Sequence, residues 1–483
     1  MDQASKHGRR RRTLTTAIVF ALSLTASLSA TAGQVNATAL QADGNYDQFI
    51  VKYRRDNATQ SSAATITSSL DSAARALPNV AGGKLRVERV RRMALGADVV
   101  RTSQKLDSAD AATLMRQIAA DPNVDYVEVD VRTYPTLTPN DPRFPEQWGF
   151  TDADAGIKAD QAWNVATGAG VVVAVLDTGI TNHSDLNANI LPGYDFITNV
   201  SIGRDGDGRD GDPSDPGDST TGQSSWHGTH VAGTVAAVTN NGIGVAGTAF
   251  NSKIVPVRVL GVGGGFASDI ADAIVWASGG SVGGIPANSN PAQVINLSLG
   301  GGGSCPAVYT EAINGAVSRG TTVVVAAGNG NFDASGFNPA NCANVITVGA
   351  VDSNGARSIW NNGQASNYGG VVDVAAPGTG ILSTLNSGTT SPGAQSYAFY
   401  NGTSMATPHV AGVVALIQSK AVPRKTPGEI ESIIKGTARG FPSTPSQPIG
   451  TGILDAKAAV DAVTSQPAAA DITPILQLLL LSD

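Results

Sequence analysis

Three short segments place an aspartate, a histidine and a serine in settings suited to nucleophilic catalysis. Asp177 ends Val-Leu-Asp-Thr-Gly after an apolar run, His227 opens His-Gly-Thr-His-Val-Ala-Gly, and Ser404 lies in Asn-Gly-Thr-Ser-Met-Ala-Thr-Pro-His-Val-Ala-Gly. A serine hydroxyl is a weak nucleophile at neutral pH and needs a base within hydrogen-bond reach. A carboxylate can fix the tautomer of that base and stabilise its positive charge. The three segments therefore predict a serine nucleophile with a histidine base.

Each of these residue types has a plainer explanation when it is taken alone. An aspartate after a strand more often caps a loop, and a lone histidine more often packs in the interior. His227 and His230 have the spacing of a metal-binding pair, but the sequence lacks the Glu of the zinc-protease pattern His-Glu-x-x-His. We expect His230 and His409 to be packed structural residues.

The intervening segments alternate between short apolar runs and stretches with helical spacing. The apolar runs are residues 171–176, 254–260, 294–299, 322–327 and 345–348, and the helical stretches lie near 227–239, 267–278, 307–319, 404–420 and 427–438. Wholly apolar strands separated by helices predict a parallel sheet covered on both faces, which is a doubly wound α/β fold. Ligands of such folds bind beyond the carboxyl ends of the strands, where Asp177 is expected.

The segment around Ser404 predicts a turn followed by a helix. Gly402 allows a sharp turn, and a helix that begins at Ser404 directs its dipole at the reacting centre. Pro408 is expected in the first turn, where a missing amide has no helical partner to lose.

The three segments, in the order Asp, His, Ser, resemble those of the subtilisin-like serine protease family. The resemblance covers roughly residues 140–463. Ser404 does not lie in the Gly-x-Ser-x-Gly turn of α/β-hydrolases, because Ala406 stands in place of the last Gly. The resemblance implies a subtilisin-like fold and hydrolysis of peptide bonds.

The resemblance also implies residues that bind the substrate. Asn329, in Val-Ala-Ala-Gly-Asn, corresponds to the oxyanion asparagine of the family, with the Ser404 N–H as the second donor, although an Asn here could also cap a turn. Two segments correspond to the walls of the cleft and of the primary specificity pocket: Ser298, Leu299 and Gly300, and Ala326, Ala327 and Gly328. Neither contains a charged residue, so we expect a neutral or broad preference.

The N-terminal residues have the pattern of a secretory signal. Residues 6–12 are basic, residues 13–30 are apolar and uncharged, and Ala30-Thr31-Ala32 supplies small residues for cleavage. The apolar run is short for a membrane anchor. We therefore expect export, a signal peptide over residues 1–32 and no membrane span in the mature form.

Residues 33–137 predict a small α+β leader domain. Residues 48–53 and 124–129 alternate like strands, and residues 108–120 have helical spacing with Ser108 available as the N-cap. The stretch that begins Asp121-Pro-Asn-Val-Asp-Tyr-Val-Glu resembles the inhibitory propeptide of subtilisin-like enzymes, and residues 133–143 are a candidate processing linker. A peptidase domain over 138–465 and a C-terminal tail over 466–483 complete the predicted organisation. For the apolar end of the tail, docking, removal and no role stay open.

The leader and the body carry opposite net charges. Residues 1–137 contain 18 Lys and Arg against 13 Asp and Glu, and residues 138–483 contain 14 against 26. The net charges of +5 and −12 suit a leader that folds onto the body as an intramolecular inhibitor. An acidic body without a basic stripe argues against binding of nucleic acid.

The chain contains two cysteines, Cys305 and Cys342, and both follow the export signal. In an oxidising compartment they are expected to form one disulfide, with two buried thiols as the alternative.

Residues 204–218 form an acidic segment with six Asp and four Gly. Calcium binds carboxylate and carbonyl oxygens on such flexible loops, although Arg209 falls where an EF-hand would place a ligand. We expect a structural calcium ion, with a solvated acidic loop as the alternative. The candidate ligands are Asp205, Asp207, Asp210, Asp212 and Asp218.

These features together predict a secreted, monomeric serine endopeptidase that is made as an autoprocessed precursor and acts on proteins or peptides. Two alternatives are a catalytically inactive binding module with the same fold and a processing protease with narrow basic specificity.

Overall fold

The computed structural model describes residues 32–40, 45–54, 63–77, 84–131, 137–360 and 363–464. The chain divides into two compact units, one up to residue 133 and one from residue 134 onward. The predicted C-terminal tail, nearly all of the predicted signal peptide and part of the predicted linker lie outside the described residues.

The first unit is a five-stranded sheet packed against two helices. Its elements are β1 (Gln34–Asn36), β2 (Tyr46–Tyr53), α1 (Ala63–Arg75), β3 (Val87–Arg92), β4 (Ala97–Leu106), α2 (Ser108–Ala119) and β5 (Val124–Val129). The strand order is β1-β5-β2-β4-β3, and only the β1–β5 pair is parallel. Phe49 and Val127 of the sheet pack against Leu70 of α1 and Leu114 of α2 in one buried cluster.

The N-cap of α2 differs from the prediction. Asp107, not Ser108, caps the helix, and its carboxylate accepts a hydrogen bond from the Asp110 amide at 2.8 Å. An aspartate satisfies a free amide and also places negative charge at the positive end of the helix, so it is the better cap here.

The second unit contains the remaining strands and helices. The strands are β6 (Val172–Asp177), β7 (Tyr194–Asp195), β8 (Lys253–Arg258), β9 (Val294–Leu297), β10 (Gly301–Gly302), β11 (Thr322–Ala326), β12 (Phe337–Asn338), β13 (Ile346–Val351), β14 (Val374–Pro377), β15 (Ile381–Asn386) and β16 (Gln395–Tyr400). The helices are α3 (Trp148–Thr151), α4 (Ala159–Ala162), α5 (Val200–Gly203), α6 (His227–Ala236), α7 (Ala267–Ala277), α8 (Ala307–Ser318), α9 (Thr403–Lys420), α10 (Pro427–Thr437) and α11 (Ala456–Thr464).

Seven strands form a parallel sheet in the order β14-β13-β11-β9-β6-β8-β7. Alternate residues of each strand enter different buried clusters: Val173 and Val175 pack on the side of α6 and α9, and Ala174 and Leu176 on the side of α7 and α8. Helices therefore cover both faces, which confirms the doubly wound α/β fold.

The strand order creates a crevice at the carboxyl edge of the sheet. From β6 the chain reaches β8 on one side and then returns to β9 on the other side. Adjacent connections that leave in opposite directions open a gap between the loops, which is where doubly wound folds bind their ligands. Asp177 ends β6 at this point.

Two small antiparallel sheets flank the main sheet. β15 pairs with β16, and β10 pairs with β12 through Gly301–Asn338 and Gly302–Phe337. The disulfide between Cys305 and Cys342 is present, as predicted, and joins the segments that follow β10 and β12. Among the described residues, no helix combines the length and the apolar character needed to cross a membrane.

We expect the disulfide to contribute substantially to the stability of the second unit. The two cysteines are 37 residues apart, and closing a loop of that length restricts the unfolded chain by about 4 kcal/mol in the chain-entropy model. A Cys305→Ser, Cys342→Ser variant should lose roughly 3–4 kcal/mol of unfolding free energy in urea relative to the oxidised chain. Both proteins would carry Ser404→Ala to prevent self-digestion. A loss below about 1 kcal/mol would contradict the expectation.

Candidate active site

The structure brings Asp177 and His227 into direct contact. Asp177 is fully buried at the end of β6, and His227 is the first residue of α6. His227 Nδ1 lies 2.8 Å and 3.0 Å from the two carboxylate oxygens of Asp177. This contact makes Nδ1 the protonated nitrogen and leaves Nε2 of the neutral ring free to accept a proton.

The charge of Asp177 sets the protonation of His227. Burial by itself lowers the pKa of His227, but the Asp177 charge and its hydrogen bond raise it, and the charges of Asp218 and Asp215 act in the same direction. The net result is a pKa above the usual value of 6.5. The shift makes the His227 ring a stronger proton acceptor than free imidazole.

The residue after Asp177 connects this pair to the acidic segment. The Thr178 amide donates to Asp177 Oδ1 at 2.8 Å, and the Thr178 hydroxyl donates to Asp215 Oδ2 at 2.7 Å. The Gly228 amide donates to the Thr178 hydroxyl oxygen at 3.0 Å. Asp218 accepts from the amide and hydroxyl of Ser225, two residues before His227. Sequence reasoning missed Thr178 and Asp215 as positioning residues, although the Thr of Asp-Thr-Gly offered a signal.

Ser404 is the second residue of α9, at the start of the long buried helix. Gly402 precedes it with φ of 152°, a conformation that L side chains rarely adopt, and a Cβ there would lie 3.4 Å from Asn329 Nδ2. The glycine therefore turns the chain beside Asn329 without a clash. The Ser404 amide lies in the first turn of α9, so the helix provides no carbonyl for it.

The Ser404 hydroxyl and carbonyl both contact Ser298, the residue after β9. Ser404 Oγ donates to the Ser298 carbonyl oxygen at 3.2 Å, and Ser298 Oγ donates to the Ser404 carbonyl oxygen at 2.9 Å. The prediction for Pro408 was wrong, because it lies in the interior of α9, beyond the first turn. Since proline has no amide to offer to the carbonyl four residues earlier, the Ser298 hydroxyl satisfies that carbonyl instead.

Asn329 is held beside Ser404 by the preceding residue. Its side-chain oxygen accepts hydrogen bonds from the Thr403 amide and the Thr403 hydroxyl, both at 2.9 Å. Because Asn329 Oδ1 accepts both of these hydrogen bonds, Asn329 Nδ2 is the donor that faces away from Thr403. Sequence reasoning did not identify Thr403 as the residue that orients Asn329.

The two predicted substrate-binding segments both contact the segment of Thr403 and Ser404. Ser298 contacts Ser404 directly, and the Gly328 amide donates to the Thr403 hydroxyl at 3.1 Å. Asn367 Nδ2 donates to the Ala327 carbonyl at 2.8 Å and so helps to hold the segment of Ala326, Ala327 and Gly328 in place. The segments continue from β9 and β11, two neighbouring strands of the sheet.

The remaining histidines of the two motifs are structural. His230 is buried, its Nε2 lies 3.1 Å from the carbonyls of Ile381 and Ala398, and burial lowers its pKa to about 3. His409 is buried with Nδ1 2.8 Å from the Met405 carbonyl, and burial lowers its pKa to about 4. Both are neutral, packed residues, as predicted.

The acidic segment is organised by arginines. Arg258, which is almost completely buried, donates to the carboxylates of Asp195 and Asp205 and to the Gly203 carbonyl. The guanidinium of Arg204 donates to the backbone carbonyls of Gly217, Ser219 and Thr390. The guanidinium of Arg209 pairs with the carboxylates of Asp269 and Asp272 in α7.

The predicted calcium ligands do not converge on one point. Asp210 and Asp212 accept the amides of Asp212 and Ser214 within their own turns, and Asp218 accepts from Ser225. In the parts of the chain that the structure describes, no group of three or more His, Cys, Asp or Glu residues is placed to hold a metal ion. In the described residues, the carboxylates of this segment therefore do not form a calcium site by themselves, and internal arginines supply positive charge beside them.

Comparison with known proteins agrees with the fold and shows the family of the chain. A model of the subtilase family, peptidase S8, matches residues 168–452, which is more than half of the chain. This range includes both residues of the Asp177–His227 pair, Asn329 and Ser404.

Similar proteins extend the match to most of the chain. The chain is 57% identical over 466 residues to an extracellular protease of Xanthomonas campestris, covering 94% of this chain and 80% of that protein. It is 43% identical over 446 residues to an extracellular basic protease of Dichelobacter nodosus, covering 89% and 72%. A solved protease structure from Pseudoalteromonas arctica has 58% identity and a TM-score of 0.66, covering 68% of this chain and all of that one. The chain therefore belongs to the subtilase family and is a serine endopeptidase.

Proposed function

We propose that this enzyme cleaves peptide bonds through an acyl-enzyme on Ser404, with His227 as the base and Asp177 as the residue that orients it. The observations that support the proposal are the Asp177–His227 pair at the end of β6 and, after the neighbouring strand β9, the contact of Ser404 with Ser298, with Asn329 held next to Ser404 by Thr403. Ser404 Oγ donates to the Ser298 carbonyl in this structure, so the serine must turn toward His227 to react. Each group is held by a buried element, which supports a preorganised reaction centre.

In the first step the Ser404 hydroxyl leaves the Ser298 carbonyl and gives its proton to His227 Nε2 as its oxygen attacks the substrate carbonyl. The imidazolium is stabilised by Asp177, which keeps its negative charge. His227 then donates that proton to the departing amine, and the C–N bond breaks to leave an ester on Ser404. Water then attacks the ester and gives a proton to His227. The bond between the acyl carbon and Ser404 Oγ breaks, His227 returns the proton to Oγ, and the peptide leaves with a new carboxyl end.

The negative oxygen of the tetrahedral intermediate needs two donors. The Asn329 amide group and the Ser404 backbone N–H are the candidates, because Thr403 orients the first and the helix start exposes the second. The positive end of α9 adds favourable potential at the same place.

Export and self-removal of the leader form the second part of the proposal. The N-terminal pattern of basic, apolar and small residues and the extracellular relatives from Xanthomonas campestris and Dichelobacter nodosus support secretion. The opposite net charges of residues 1–137 and 138–483 support a leader that inhibits its own enzyme until it is cleaved. We propose that the mature enzyme acts as a monomer on protein and peptide substrates.

Substitution of Ser404 tests both the acyl-enzyme mechanism and the self-removal of the leader. Ser404→Ala should accumulate as the uncleaved precursor and should not react with a fluorophosphonate probe, because no hydroxyl remains to attack either the leader or the probe. Ser419→Ala, in the same helix, is the matched control and should mature and react as the wild type does. Expression in a protease-deficient host, followed by intact-mass measurement, gives the readout.

Two results would reject parts of this account. Normal maturation of Ser404→Ala would exclude autoprocessing, while failure of the processed wild type to react with the probe would favour the inactive binding module.

The pH dependence of kcat/KM should report His227. Because the pKa of His227 in the folded protein is raised above 6.5, kcat/KM should be highest at alkaline pH. It should fall as the pH drops through this raised pKa, because the base becomes protonated. The substrate should be an uncharged peptide, so that its own ionisation does not contribute to the pH profile of kcat/KM. An acid limb with its midpoint clearly below 6.5 would contradict the assigned electrostatics.

We also propose that the acidic segment binds a structural calcium ion, with backbone carbonyl oxygens as ligands in addition to its dispersed carboxylates. Members of a crowded row of aspartates repel each other, and a bound cation would relieve that repulsion. EGTA should lower the Tm of the Ser404→Ala protein, and calcium should restore it. An Asp207→Asn, Asp212→Asn variant should lose this response, while the exposed Asp154→Asn control should keep it. An unchanged Tm would reject the calcium ion and would indicate that Arg204, Arg209 and Arg258 supply the positive charge near the aspartates of this segment.

A further inference from the structure

We infer that Trp226 and the loop between β15 and β16 hold the base of the proposed reaction in place. The inference deepens the proposed function and rests on the role proposed there for His227. Trp226 is the residue before His227, and the loop comprises residues 387–394. Trp226 is thus a positioning residue, which acts through the backbone of its neighbour.

The backbone of Trp226 has a conformation that a tryptophan rarely adopts. Its φ of 49° and ψ of 32° are left-handed, where every residue with a Cβ atom is strained and glycine is favoured. Other residues keep such a conformation only where surrounding contacts enforce it, and they concentrate at functional sites. The Trp226 carbonyl accepts the His230 amide at 3.2 Å, so this turn also sets the start of α6, where His227 lies.

The indole of Trp226 is the anchor that enforces this turn. The side chain is fully buried, and its Nε1–H donates to the Gly388 carbonyl at 2.8 Å. A buried N–H group that loses its partner costs free energy, so burial and the hydrogen bond together favour one position of the ring. Because α6 begins one residue later, a fixed indole also fixes the backbone from which the His227 side chain projects.

The loop also holds the residues before Trp226. The Gly388 carbonyl accepts a second hydrogen bond from Gln223 Nε2 at 2.6 Å, and the Thr389 carbonyl accepts the Ser224 amide at 2.6 Å. Two successive carbonyls of the loop therefore bind the segment that leads into α6. These contacts join the β15–β16 hairpin to the base at three points.

The loop is itself held in one shape. The side-chain oxygen of Asn386 accepts the amides of Gly388 and Gly393 at 2.8 Å and 2.7 Å, across the base of the loop. A Cβ atom built on Gly388 would collide with the Ser391 carbonyl oxygen, so the loop keeps this shape only with a glycine there. The Gly388 carbonyl is thus a fixed partner for the indole.

Two separate supports therefore act on the base. Asp177 holds the imidazole ring through Nδ1, and Trp226 holds the backbone of the same residue. Loss of the second support would let the ring shift as a whole relative to Ser404, and small displacements of a catalytic group slow the reaction strongly. A tryptophan that only filled the interior would affect stability and would not need a left-handed backbone.

Two substitutions that break the same link from opposite sides test the inference. Trp226→Phe keeps a buried ring and the strained turn but removes the indole N–H, and Gly388→Ala keeps the tryptophan but displaces the loop carbonyl. Each should lower kcat on a peptide substrate by about three- to tenfold, with KM within about twofold of the wild type. The double variant should be no slower than Gly388→Ala alone, because both changes remove one interaction.

Matched controls distinguish positioning from stability. Trp276→Phe removes another buried indole N–H, which donates to the Pro286 carbonyl at 2.7 Å, and Gly440→Ala adds a Cβ atom where nothing lies within 4 Å. Trp276→Phe should lower the Tm as Trp226→Phe does, because both lose a buried hydrogen bond. Both controls should keep the wild-type kcat.

The outcomes separate this inference from the proposed function. A kcat within about twofold of the wild type in Trp226→Phe or Gly388→Ala would overturn the inference, as would an equal loss of kcat in Trp276→Phe or additive losses in the double variant. Absence of turnover and of reaction with the fluorophosphonate probe in the wild type would instead reject the proposed function. If Trp226→Phe does not fold, Gly388→Ala decides by the same criteria for kcat and KM.

Discussion

The buried contact between Asp177 and His227 is the interaction on which the rest of the site depends. A carboxylate with no exposed surface costs free energy unless it is hydrogen-bonded, and here the His227 ring N–H and the Thr178 amide donate to Asp177. The sheet must therefore deliver β6 and the start of α6 to the same point. Once that is achieved, the two contacts with Asp177 orient the imidazole.

The same edge of the sheet positions the other groups through short hydrogen bonds. Thr403 orients Asn329, and Ser298 exchanges two hydrogen bonds with Ser404. These contacts join the ends of β9 and β11 to the start of α9, so Ser404 and Asn329, the proposed nucleophile and oxyanion donor, are held next to each other. The acidic segment contributes at longer range, because Asp215 and Asp218 favour the charged form of His227.

The motifs and the fold could be predicted from the sequence because both depend on local patterns. Wholly apolar runs predict buried parallel strands, and the residues around Asp177, His227 and Ser404 are specific to one family. The contacts that complete the site are long-range: Thr178 meets Asp215 across 37 positions, and Trp226 meets Gly388 across 162 positions. Spacing in the sequence does not reveal which arginine neutralises which aspartate, so the pairing of Arg258 with Asp205 appears only in the structure.

The central claim is that the charge of Asp177 raises the pKa of His227 and so prepares it as the base. An NMR titration of the His227 imidazole in the wild type and in Asp177→Asn measures this interaction without relying on turnover. The account predicts a pKa above 6.5 in the wild type and a lower value in the variant, because the stabilising negative charge is gone while burial remains. An unchanged pKa in Asp177→Asn would contradict it.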